Sequence, residues 1–104
     1  MPKYKYEVRV DEAANDKMTR HLRFLAQVSL SATKRLRAQL HEAVKFLQTS
    51  ADTCPLYLFE QTINADLKYH LFGKRYSLVF EIVGNDVFVH DIQDCRQGTN
   101  KNLV

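Results

Sequence analysis

The sequence holds little of what would place a chain at once. Three glycines and two prolines in 104 residues exclude a collagen-like or linker-rich polypeptide. No apolar run approaches about twenty residues, so no membrane-spanning helix is expected. Only two cysteines occur, Cys54 and Cys95, far apart and outside any CxxC pattern, which gives a disulfide scaffold or a zinc site no support. The four histidines show no ligand spacing, so neither metal nor cofactor is expected. Internal repeats and low-complexity segments are missing as well. Residues 1–6 run straight into charged alternation without the apolar stretch of a secretory signal, and a cytoplasmic location is expected.

What is present is ordinary for a globular protein. Hydrophobic residues make up 45% and charged residues 26%, enough apolar surface to exclude disorder. The length fits a single domain over 1–104, with a flexible tail expected at 97–104. The net charge of +3 and pI near 9.0 are modest. Their distribution says more: Lys17, Arg20, Arg23, Lys34, Arg35, Arg37 and Lys45 all fall in the helical stretch. Such a set fits either a solvated helical face or contact with an anionic partner.

Residues 3–10 alternate, with Tyr4, Tyr6, Val8 and Val10 opposite Lys3, Lys5, Glu7 and Arg9, as in a strand with one wet face. Asp11 reads as an N-cap with Glu12 in the first turn. The period then changes. Ala14, Met18, Leu22, Leu25 and Val28 form one helical stripe, and Ala32, Leu36, Leu40, Val44 and Leu47 a second, widened by Ala43 and Phe46. Between them Ser29-Leu30-Ser31 is the break, with Ser31 the expected second N-cap. The stretch 49–55, closing on Pro55, ends the helical part.

Strand signals follow. The apolar 56–59 reads as an edge pair or a spacer. Leu67, Tyr69 and Leu71 alternate with Lys68, His70 and Phe72, and Gly73-Lys74 makes a tight turn. Tyr76, Leu78, Phe80 and Ile82 alternate with Ser77, Val79, Glu81 and Val83, ahead of a Gly84-Asn85 hairpin turn. The segment 87–92 is apolar on both faces except at His90 and the neighbouring Asp91, so a central strand is expected, with His90 a hydrogen-bonded core residue. The order β-α-α-β-β-β predicts an α+β fold: a helical hairpin packed on one face of a small, mainly antiparallel sheet. The opposite face would stay partly open, which makes it the place to look for function.

This order, with the strings 75–82 (RYSLVFEI) and 89–97 (VHDIQDCRQ), resembles the RelE/ParE superfamily of bacterial toxins. The match lies in the aromatic-x-Leu-Val-aromatic third strand, the Gly/Asn turn and a last strand ending in arginine, and it spans about residues 3–97. The resemblance implies the toxin of a type II toxin–antitoxin pair, held silent by a cognate antitoxin protein. Its target would be DNA gyrase in the ParE-like branch or ribosome-bound messenger RNA in the RelE-like branch. No membrane is involved, and a homodimer is left open.

Metal-free RNA cleavage needs a base for the 2′-hydroxyl, cations for the charged phosphorane and an acid for the leaving oxygen. The RelE-like pattern places an arginine directly after the third-strand aromatic, where this sequence has Ser77. The segment 60–66 before the second strand carries no cation. The remaining catalytic candidates are Lys68, Arg75 and Arg96, with His70 on the face of Lys68 and Arg75 about 7 Å from Ser77. If the chain cuts RNA, Lys68, Arg75 and Arg96 should converge on one phosphate. So thin a cation set favours the ParE-like, non-nucleolytic branch. From another class, a small protein-binding module or an inactive toxin relic acting through the open sheet face fits the same residues.

Overall fold

A computed structural model of the chain describes residues 5–57 and 67–94. Strand β1 (Glu7–Val10) leads into helices α1 (Glu12–Val28) and α2 (Leu30–Ser50), and a single 3-10 turn, Ala51–Thr53, follows. Strands β2 (Lys68–Phe72), β3 (Tyr76–Val83) and β4 (Asp86–Asp94) complete the sequence of elements. The sheet order is β1-β4-β3-β2. Two antiparallel pairs, β2–β3 and β3–β4, join a parallel β1–β4 pair, and β4 lies inside the sheet as its apolar faces predict. The fold is α+β, with the two helices packed against a four-stranded mixed sheet.

Register and alternation decide which side chains meet the helices. Tyr76, Leu78 and Phe80 of β3 pair with Asp94, Ile92 and Val89 of β4, while Val8 of β1 lies opposite Val87. These apolar side chains pack with Ala14 and Met18 of α1 and with Leu36, Ala43 and Leu47 of α2. Phe80, Leu47, Leu78, Val87 and Val89 are fully enclosed. Each such side chain contributes about 1.5–3 kcal/mol by leaving water. Leu22, Leu25 and Leu40 are only partly covered, and Val28 is 70% exposed, so the α1 stripe outlasts the core.

Several local expectations need correction. Lys5 and Tyr6 are not strand residues: both amides donate to the Gln48 carbonyl of α2, and strand pairing starts at Glu7. Asp11 holds the N-cap position of α1 without a side-chain cap, its amide donating instead to Val89 O. Ser29, not Ser31, caps α2. Its backbone is extended, its Oγ accepts from the Ala32 amide at 3.1 Å, and its carbonyl accepts from the Thr33 hydroxyl at 3.0 Å. One residue therefore ends α1 and starts α2. Thr49 and Ser50 still belong to α2, and the break comes at the 3-10 turn.

The β2–β3 connection needs φ > 0 at both central residues, and Gly73 (62°) and Lys74 (67°) supply it. A side chain at Gly73 would also meet Gln39 Oε1 of α2 at 2.7 Å. His90 is not in the core. The register slips between Val79 and Phe80, which leaves His90 as the extra residue of a bulge. Its ring is exposed and bonds Glu81 at 2.7 Å. Leu56 makes an isolated bridge to Lys68, while residues 58–59 and the tail 97–104 lie outside the described residues.

Candidate functional site

The face turned away from the helices is not open at its centre. Alternation places Ser77 and Val79 there, opposite Gln93 and Asp91, and they are 0% and 3% exposed. Tyr57 lies on this side, its ring edge-on to Tyr69 at 6.2 Å and its hydroxyl donating to Gln93 at 3.2 Å. Backbone bonds between Tyr57 and Leu67 and between Tyr69 and Pro55 hold it in place. Ser77 Oγ is buried with no hydrogen-bond partner among the described residues. The slot that would carry an arginine in a RelE-like strand is thus an enclosed position without room for a charged head.

Lys68 and His70 lie on the helix side of the sheet, because they pair with Phe80 and Leu78. Lys68 donates to the Cys54 carbonyl at 2.9 Å, fastening the end of the 3-10 turn to β2. His70 stacks on Phe46 of α2, centroids 4.4 Å apart and planes within 9°. Burial pushes its pKa below the ordinary 6.5. Cys54 is likewise buried, and loss of water raises its thiol pKa, with Lys68 partly offsetting the rise.

Arg75 is at the other end of the β2–β3 hairpin. Lys68 pairs with Phe80, so the strand rise separates it from Arg75 by roughly 16 Å. The guanidinium forks onto Asp94, with Nη2 donating at 2.8 Å and Nε at 3.4 Å. It also covers the Tyr76 ring at 4.9 Å. The Asp94 hydrogen bond pushes its pKa further up. Arg75 therefore clamps the start of β3 to the end of β4 and does not sit beside Ser77. Arg96 lies outside the described residues. Lys68 and Arg75, which the sequence would bring together, are kept apart. No group of His, Cys, Asp or Glu among the described residues could hold a metal ion.

The sequence gives little sign of a second arrangement, built on Tyr76. His21 Nε2 shares a 2.8 Å hydrogen bond with its hydroxyl, and Phe72 stacks with its ring, centroids 5.5 Å apart. Beside it, α1, α2 and the β2–β3 turn enclose a cleft of about 340 Å³. Leu25, Ala32 and Leu36 give the cleft an apolar wall, while Arg35, Lys74 and Arg75 bring cations to it. The available signal was the pairing of Arg35 and Gln39 one turn apart on α2, opposite a glycine turn.

No family model, curated protein or solved structure matches this chain. Its chemistry rests on its own residues. Lys68, His70 and Arg75 all have intramolecular partners, and the described residues offer no converging set of cations for a phosphorane. No helix among the described residues is long and apolar enough to cross a membrane.

Proposed function

We propose that this chain is a RelE/ParE-like toxin of a type II toxin–antitoxin pair that stops growth by binding its target, DNA gyrase, and not by cutting RNA. The observation that carries the non-nucleolytic choice is the Arg75–Asp94 fork. A cation already neutralised by a bidentate carboxylate, with only 28% of its side chain exposed, is poorly placed to stabilise a second anion. The enclosed Ser77 and the 16 Å strand separation of Lys68 from Arg75 support the same choice. The family reading rests on the resemblance of the strand strings and on the β-α-α-β-β-β order. Free toxin would act and antitoxin-bound toxin would be silent, by mass action.

Induction in a bacterial host tests this directly, with growth, message integrity on translating ribosomes and gyrase–DNA breaks read in parallel. Arrested growth with intact messages and trapped gyrase breaks is the expected result. Cuts at ribosomal A-site codons that vanish in Arg75→Ala would replace it with the RelE-like endoribonuclease. Normal growth with a folded protein would favour the protein-binding module or relic, a reading the exposed apolar residues of the helical hairpin support.

A further inference from the structure

The tip of the helical hairpin combines two features that monomeric surfaces seldom join. Phe24, Val28 and Leu30 are 62%, 70% and 62% exposed within seven residues of chain. Phe24 and Val28 stand one turn apart on α1, and Leu30 opens α2 immediately after the Ser29 break. Around them the chain carries only positive charge: from Lys17 to His41 there is no aspartate or glutamate. Lys17 is paired with Asp91. Arg20, Arg23, Lys34, Arg35 and Arg37 are exposed and have no ion-pair partner among the described residues. The 340 Å³ cleft adjoins this tip, since Leu25 lies one turn before Val28 and Ala32 just after Leu30.

We propose that the hairpin tip and its cleft form a docking surface for an acidic amphipathic segment of a partner protein. An apolar side chain of the segment enters the cleft between Leu25 and Leu36, others cover Val28 and Leu30, and its carboxylates meet Arg35 and Lys74. Charge complementarity selects this occupant. A second copy would bring cations against cations in a two-fold tip-to-tip contact. A bilayer is flat and cannot fill a concave cleft, and the inner stripe of α1 is already committed to the core. A nucleic-acid strand could stack one base on Phe24 and meet the cations, but it would leave Val28, Leu30 and the apolar wall of the cleft uncovered. The inference rests on this surface alone and is independent of the toxin reading.

Fluorescence anisotropy tests it, using a labelled synthetic helical peptide with leucine on one face and glutamate on the other. Binding on the order of micromolar at low salt, weakening as salt rises, is expected. A scrambled peptide of the same composition should bind at least about tenfold more weakly, and Val28→Glu, Leu30→Glu and Arg35→Glu should each cost a similar factor. All three positions are exposed, so unfolding curves should match wild type. Equal binding of the scrambled peptide, or no binding of the designed one, overturns the proposal. So does tighter capture of a single-stranded RNA of equal charge or of phosphatidylserine–phosphatidylcholine vesicles. A concentration-dependent dimer that Val28→Glu dissolves, with no peptide binding, would assign the surface to self-association instead.

Discussion

Replacing Ser77 by alanine should make this protein more stable. Ser77 Oγ is fully enclosed and has no hydrogen-bond partner among the described residues. Burying a hydroxyl without a hydrogen bond costs about 1–3 kcal/mol, and alanine removes that cost. The substitution leaves a void of roughly one oxygen atom, worth about 0.3 kcal/mol at the usual cavity coefficient. The net expectation is a gain of about 1–2 kcal/mol, or about 4–8 °C per kcal/mol in a domain near this size. Urea unfolding followed by circular dichroism measures it, with an unchanged slope showing that the gain belongs to the folded state. A loss of stability in Ser77→Ala would refute the reasoning, because it would mean that the hydroxyl has a partner. The companion Ser77→Arg, which restores the residue a RelE-like strand carries there, should be destabilising by several kcal/mol, since a guanidinium would enter the same closed space.

Leu36→Ala should cost about 2–5 kcal/mol and Leu40→Ala less, because Leu36 is 3% exposed while Leu40 is only partly covered; paired unfolding curves compare them. Arg75→Ala should cost about 1–2 kcal/mol, and Arg75→Lys should recover little of it, since an ammonium cannot reproduce the two-pronged bond to Asp94; a double-mutant cycle with Asp94→Ala isolates the coupling. His70 is held below its ordinary pKa of 6.5, so its folded state favours the neutral ring. Its contribution is complete above pH 6.5 and is lost as pH falls through the folded pKa, and His70→Phe should flatten that acid-side decline in thermal scans.

Elements with clean alternation and strong turn signals were legible in the sequence. Tyr76, Leu78 and Phe80 could be assigned to one face because period two holds across β3 and a glycine turn bounds each end. The helix stripes were legible for the same reason, except where Val28 runs past the core. Strand β2 was legible as an element, but its faces were not: alternation makes Tyr69 and Leu71 the more apolar side, yet it is the side of Lys68 and His70 that meets the helices. Only pairing with β3 shows that Lys68 and His70 face the helices. His90 misled because a bulge breaks the period on which any assignment of faces depends. Arg75 was legible as a candidate but its role was not: Asp94 is 19 residues away and reaches it only through the register that pairs Tyr76 with Asp94. Ser31 was the expected cap by sequence, but Ser29 takes the position because its backbone is extended while Ser31 is already helical.

The parallel pairing of β1 with β4 has a consequence for how the chain folds. Glu7 pairs with Asp86 and Val10 with Val89, so the contact closes a loop of about eighty residues, a large entropic debt compared with the short turns of the β2–β3–β4 meander. Strand β4 also supplies much of the floor on which α1 rests. During synthesis the helical hairpin therefore emerges long before its floor exists. Ala14, Met18, Leu36 and Leu47 must wait exposed until residues 86–94 leave the ribosome. A nascent chain arrested before β4 should bind chaperones, and release through Asp94 should be the step at which protease resistance first appears.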